Sequence, residues 1–293
     1  MGVSLAQIVC DGITHGVILF FLVLGLQIAR STTNSYRTET LALAVIAPII
    51  FGALDPHGPT AMLIVFVLSL TVVIVVQWAI FFLVYRRALA QRANPATLLV
   101  LSFAVFEILI TVTNIFSSGA SYAVRLERRV VVQTGGQVLL SNDDVLVIGL
   151  GILFLITLLW LDRLCNASAK LKGLRENRII LVQYGYNDQS LFLWFTFVAG
   201  AVSCVGGYLH YLLGSVAAAD AYGFFFLGFG VLLLLPDMAA GPTFGLSIGL
   251  STCLAMLVFV FGNRHRMVFS SAIVLLACLV ASTPWLRRGS AWR

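Results

Sequence analysis

The sequence predicts an all-α polytopic membrane protein, a single transmembrane domain over residues 1–293, with about eight spanning helices and one or two short, broken or re-entrant segments. Composition is the first reason. Of the 293 residues 60% are hydrophobic and 10% charged, with a mean hydropathy of +1.01, whereas a soluble domain averages about 45–50% apolar and about 25% charged. So few charges cannot cover a globule of this size. Segmentation is the second reason: long apolar runs alternate with short polar stretches. The third is the placement of basic residues. The net charge of +6 resides in short loops and the tail, where Arg and Lys set membrane orientation, so it does not point to nucleic acid.

Ile13 to Ala29 is the first candidate span, and Arg30 to Thr40 is polar, with Arg37 and Glu39. Leu41 to Leu54 is apolar but short for a span and interrupted by Pro48, as re-entrant or broken segments are. Asp55-Pro56-His57-Gly58-Pro59 is a turn by composition. Ala61 to Tyr85 is a long β-branched span, followed by Arg86, Arg87 and Arg92. Leu98 to Phe116 spans back. Residues 117–144 form a polar excursion, expected outside, in which Val130–Val132 and Gly135-Gly136 suggest a small hairpin. Val145 to Leu161 returns to the other side.

Arg163 to Gln189 is the longest polar island between two strongly apolar runs. Lys170, Lys172, Arg175 and Arg178 make it basic against Glu176. Leu171, Leu174, Ile179 and Val182 recur at roughly helical spacing, and Gly185 with Asn187 ends the pattern. Such a loop between spans faces the cytosol. It reads either as a solvated connector or as a docking helix for a cytosolic partner. Ser190 to Leu213 then spans outward. Tyr222 to Leu235 is a second short, glycine-interrupted run. Gly241, Gly245 and Gly249 follow at four-residue spacing, a small-residue face on a helix running to Phe261. Val268 to Trp285 is the last span, and Arg287, Arg288 and Arg293 place the C-terminus in the cytosol. The two short runs occupy comparable places in the two halves, the sequence pattern of a transporter with an internal repeat. If both cross, the N-terminus is outside; if the first is re-entrant, it is inside.

Five dispersed cysteines (Cys10, Cys165, Cys204, Cys253 and Cys278) form no C-x-x-C or Cys/His cluster, so neither a disulfide framework nor a metal site is expected. No basic region precedes the first apolar run and no A-x-A follows it, so a cleaved signal peptide is not expected. Glu107 lies midway along a span. An ionisable group there costs at least about 2.5–3.5 kcal/mol and faces a polar cavity or partner. With Thr111, Thr113 and Asn114 nearby, it lines a solute path or hydrogen-bonds a neighbouring helix. His15 reads as a packing histidine, His210 and Tyr211 as interface anchors, and Trp78, Trp160, Trp194 and Trp285 as interfacial belt residues. No nucleophile–base pair, Walker-type loop or H-E-x-x-H helix occurs. The chain is therefore not expected to be an enzyme, and energy for transport must come from a partner or an ion gradient.

Asp11-Gly12-Ile13-Thr14-His15-Gly16 with Leu24-Gly25-Leu26 is similar to the opening N-G-x-x-x-G and later L-G of the LivH-type permeases of branched-chain amino-acid ABC importers. Asn34-Ser35-Tyr36-Arg37-Thr38-Glu39 keeps the ends of that family's N-F-A-H-G-E. Val84-Tyr85-Arg86-Arg87-Ala88-Leu89 sits at its basic loop. Gly185-Tyr186-Asn187 resembles its G-I-N, Phe197-Val198-Ala199-Gly200-Ala201 its F-x-x-G-A, and Gly241 to Gly249 its late glycine run. The order and spacing hold from end to end. The G-R-A-x-R-A-x-x-x-D core of the cytosolic loop has no close match, and the G-G-x-G-S run is replaced by Leu232–Pro236.

The resemblance implies a permease subunit in a bacterial inner membrane. Its partners would be a second permease chain of the LivM type, two cytosolic ATPase subunits that bind the ATP, and an external solute-binding protein, with no cofactor on this chain. It puts Lys170, Lys172, Arg175, Glu176, Arg178 and Gly185 at the ATPase contact and Asn34, Glu39, Glu107, Thr111 and Asn114 along the pathway. Gly12, Gly16, Gly25, Gly241, Gly245 and Gly249 are expected to pack helices. An ion-coupled carrier using Glu107, and a membrane partner without transport, are the other two classes that the sequence admits.

Overall fold

The computed structural model describes residues 5–33, 35–91, 93–123, 131–134, 138–176, 182–235, 240–262 and 265–282. Its helices are α1 (Leu5–Thr33), α2 (Glu39–Leu54), α3 (Pro59–Ile80), α4 (Arg86–Ala90), α5 (Pro95–Phe116), α6 (Asn142–Cys165), α7 (Ala167–Glu176), α8 (Asp188–Leu213), α9 (Asp220–Leu234), α10 (Ala240–Phe261) and α11 (Arg266–Ser282). A π-helical turn, Phe81–Tyr85, joins α3 to α4. Four short strands, β1 (Tyr122–Ala123), β2 (Val131–Thr134), β3 (Val138–Ser141) and β4 (Ser215–Val216), form two antiparallel pairs.

This is an all-α membrane protein. Among the described residues six helices are long and apolar enough to cross a bilayer, and three shorter apolar ones accompany them. The expected spans, about eight with one or two short segments, correspond among the described residues to six long and three short apolar helices. Pro48 does not break α2, which runs 16 residues through it, about 24 Å at 1.5 Å per residue. The hairpin expected after α5 is β2–β3, with Val131 opposite Ser141 and Thr134 opposite Val138. It leads into α6 through a capping box in which Ser141 Oγ accepts from the Asp144 amide at 3.1 Å and the Ser141 amide donates to Asp144 at 3.0 Å.

Two helices form the centre. The most apolar window of α1 is 72% buried and that of α8 56%, against 11% for α6 and 17% for α3 and α10. The outer helices present Leu, Ile, Val and Phe outward, including Leu63, Ile64, Val100, Ile156 and Val260, as lipid-facing helices do. Trp78, Trp160 and Trp194 are likewise exposed. Close backbone approach builds the centre. A Cβ on Gly12 or Gly16 would lie 2.6 Å from the Cα of Thr252 or Ile248 on α10, one on Gly25 would meet Ser203 and the carbonyl of Ala199 on α8, and one on Gly207 would strike the carbonyl of Ala44 on α2. Gly241, Gly245 and Gly249 do not share this role within the chain. They face open space, and α10 instead turns Thr243, Ser247 and Ser251 inward. Four-residue spacing marked a face without saying which way it points.

Contacts at the two ends fix the direction of each helix. β1, just after α5, pairs with β4, just after α8. Gly52, near the end of α2, abuts Tyr122 and the Tyr211 hydroxyl. These termini share one end of the bundle, the strand end. At the other, the α7 end, Gln27 late in α1 donates to the Leu235 carbonyl after α9 at 2.8 Å and to Thr243 early in α10 at 3.0 Å. Tyr85, after α3, reaches Glu39 at the start of α2. Consequently α1 and α8 run oppositely, as do α2 and α9, α3 and α10, and α5 and α11. Their lengths match in order: 29 and 26, 16 and 15, 22 and 22, 22 and 17 residues. So do their partners: α1 lies on α10 as α8 lies on α3, α9 on α11 as α2 on α5, and α1 meets α8. The fold is a four-helix unit used twice with inverted direction, with α6 and α7 between the copies.

Candidate functional site

Besides the Gln27–Thr243 contact, three polar constellations that hold ionisable side chains stand out among the described residues. The first surrounds Glu39, the first residue of α2, where the helix dipole favours negative charge. Glu39 and Arg37 are both 0% exposed. Arg37 Nε donates to Glu39 Oε1 at 2.7 Å, and its guanidinium carbon lies 4.8 Å from the centre of the Tyr85 ring. Tyr85 Oη donates to Glu39 Oε2 at 2.9 Å and Ser102 Oγ donates to the same oxygen at 2.7 Å. The Thr38 amide donates to Ser102 Oγ at 2.6 Å. The carboxylate thus ties α2 to the π turn and to α5. A π turn shifts the side chains beyond it relative to a regular helix, and here Tyr85 ends that turn. Arg37 Nη1 and Nη2 meet no hydrogen-bond acceptor among the described residues, a costly state for buried donors.

The repeat places a counterpart at the other end of the bundle. Asp220 begins α9 as Glu39 begins α2. Its Oδ2 accepts from the Ala217 amide at 2.8 Å and lies 3.7 Å from His210 Nε2 at the end of α8. His210 stacks edge-on against Phe224 at 4.9 Å between ring centres, and its Nδ1 is buried without a partner among the described residues. A cavity of about 400 Å³ opens here, lined by polar side chains of Asp11, His15, His210, Asp220 and Arg266. The buried Ile18, Leu19, Leu227 and Leu254 line it too. His15 Nδ1 is held 2.9 Å from the Asp11 carbonyl oxygen. His15 and His210, read from the sequence as a packing residue and an interface anchor, line a shared cavity. The missing signal was Asp220 and Arg266, ordinary loop-edge residues until the fold brings them to α1.

The third constellation is Glu107, half-buried on α5, whose Oε2 accepts from the Tyr222 hydroxyl of α9 at 2.8 Å. Thr111 and Asn114 are exposed and do not join it. Glu39 is enclosed by its own cluster. The five expected pathway residues therefore do not form one lining: Glu39 and Glu107 are separately engaged, Thr111 and Asn114 face outward, and Asn34 lies outside the described residues.

At the α7 end, α7 buries Leu171 and Leu174, exposed by 2% and 1%, among the residues of the main core. Lys172 is exposed, and Lys170 Nζ lies 5.3 Å over the Tyr186 ring. Arg175 and Glu176 end the helix. Gly185 has a φ of +82°, where glycine is favoured. Val182, expected on the apolar face, is 54% exposed; Arg178 and Ile179 lie outside the described residues. Compared with known protein families, characterised proteins and solved structures, the chain matches none.

Proposed function

We propose that the chain is the membrane permease subunit of an ABC importer for branched-chain or related amino acids, working in a bacterial inner membrane with a second permease chain, two ATPase subunits and an external binding protein. The observation that carries this reading is α7. A short helix with two leucines sunk into the core and an exposed lysine beside them is a fixed lever with a free polar face. It stands between two inverted repeats, an arrangement many transporter folds use to alternate access. Arg86, Arg87, Arg163, Lys170 and Lys172 fall at its end of the bundle, and the positive-inside rule makes that end cytosolic. ATPase closure would push α7 and, through Leu171 and Leu174, the α1–α8 centre. The sequence resemblance supplies the solute class.

The test is uptake by Lys172→Glu with Arg175→Glu, in cells carrying the partner subunits. Uptake is expected to be abolished while membrane insertion and thermal stability remain as in wild type. Unchanged uptake would remove α7 as the coupling element. A second reading, an ion-coupled carrier, draws on the half-buried Glu107–Tyr222 hydrogen bond. Gradient-driven uptake by the purified chain without ATP would favour it.

A further inference from the structure

We infer that the strand-end cavity binds an amphipathic zwitterion with a primary ammonium group, and that the surrounding bilayer supplies it as a phosphatidylethanolamine-type lipid. The mixed charge of the lining carries the first half. Asp11 from α1 and Asp220 from α9 contribute two carboxylates, while Arg266 from α11 contributes a guanidinium that makes no ion pair among the described residues. A simple anion would meet both carboxylates, and a simple cation would meet Arg266. A head with an ammonium group beside a phosphate or carboxylate satisfies both signs. The His15 and His210 rings add hydrogen-bonding capacity next to them. Below this level the lining turns to Ile18, Leu19, Leu227 and Leu254, so the ligand carries hydrocarbon as well as charge.

The rim carries the second half. Phe259 on α10 and Met267 on α11 line the cavity, yet are 52% and 46% exposed. In a membrane protein, exposed side chains of that kind face acyl chains. Arg266 and Met267 open α11, at the depth where a span meets head groups. The cavity thus reaches the lipid side through an apolar rim with a charged inner wall. A volume of about 400 Å³ falls at the lower end of the small-molecule range of about 300–1,000 Å³. It holds a head group and the upper part of one chain and leaves the rest in the bilayer. A primary ammonium group can donate three hydrogen bonds to the carboxylates, whereas a quaternary choline head can donate none.

The full chain, purified and placed in phosphatidylcholine nanodiscs doped with either phosphatidylethanolamine or phosphatidylglycerol, tests this by native mass spectrometry of retained lipid. Retention of phosphatidylethanolamine over both other head groups is expected, with apparent affinity reduced about tenfold or more in Asp220→Asn and in Arg266→Gln, the loss of one charge-assisted contact each. Head-group discrimination by the wild type keeps the test decisive should a variant misfold. Equal retention of all three lipids, or phosphatidylglycerol retained as well as phosphatidylethanolamine, overturns the zwitterion. Displacement of the lipid by millimolar free leucine would keep the chemistry but overturn the bilayer as its source. None of these outcomes depends on ATPase coupling, so the site fails or stands apart from the transport reading.

Discussion

Replacing Glu39 by glutamine removes one charge and almost no volume. Its cost follows from what surrounds it. The carboxylate accepts from Arg37 at 2.7 Å, Tyr85 at 2.9 Å and Ser102 at 2.7 Å, with both ionic partners 0% exposed. Without the negative charge, Arg37 is a buried cation with no counter-ion among the described residues, where its Nη groups already lack acceptors. Breaking a buried pair in this way costs about 3–5 kcal/mol. Tyr85→Phe keeps the ring beneath the guanidinium and loses one hydrogen bond to a charged acceptor, about 1.5–3 kcal/mol. Ser102→Ala is expected to cost more than Tyr85→Phe, because it also strips the Thr38 amide of its acceptor. Arg37→Met with Glu39→Leu removes both charges and should fall well below the sum of the two single variants. Equilibrium unfolding in detergent micelles, run as a double-mutant cycle, measures all of these. A Glu39→Gln cost below about 1 kcal/mol, the value of an exposed pair, would refute the enclosure described here.

Four further outcomes are expected. Gly207→Ala sets a methyl against the Ala44 carbonyl, which is backbone and cannot rotate away, and should destabilise by about 1–3 kcal/mol or more in the same assay; Gly245→Ala, in open space, should leave the midpoint unchanged. Tyr222→Phe removes the hydroxyl that Glu107 accepts from, with an expected loss of about 1.5–3 kcal/mol that vanishes in a Glu107→Leu background. Leu171→Ala should cost about 2–5 kcal/mol for a buried side chain, while Lys172→Ala is silent in unfolding. In a cysteine-free background, Ala120→Cys and Lys172→Cys should be labelled from opposite faces of the membrane; labelling from one face would end the inverted arrangement.

The helices could be read from the sequence because hydrocarbon imposes a length and an apolarity on each of them. The α7 amphipathic pattern was equally plain, since Leu171 and Leu174 sit one turn apart on a polar background. Partnerships were not legible. Arg37 and Glu39 are two apart in sequence, but nothing local says that Tyr85 and Ser102 will close over them. Glycine spacing failed for a related reason. Gly12, Gly16 and Gly241, Gly245 look alike as strings, and only the fold decides which face meets a helix. The cavity was invisible because its charged residues come from three helices and each has a mundane local explanation.

The central position of α1 has a consequence for how the protein is made. Gln27 finds its partner Thr243 across 216 positions of sequence, and the glycine notches of α1 at Gly12 and Gly16 fit α10, a helix that is synthesised long after α1. α1 therefore leaves the ribosome long before the helix that completes its packing. It must wait in the bilayer with an amide side chain unsatisfied, at a standing penalty of several kcal/mol, until the end of α9 and the start of α10 arrive. Truncation after α8 would leave that amide permanently stranded, so quality control has a built-in mark by which to recognise an incomplete chain.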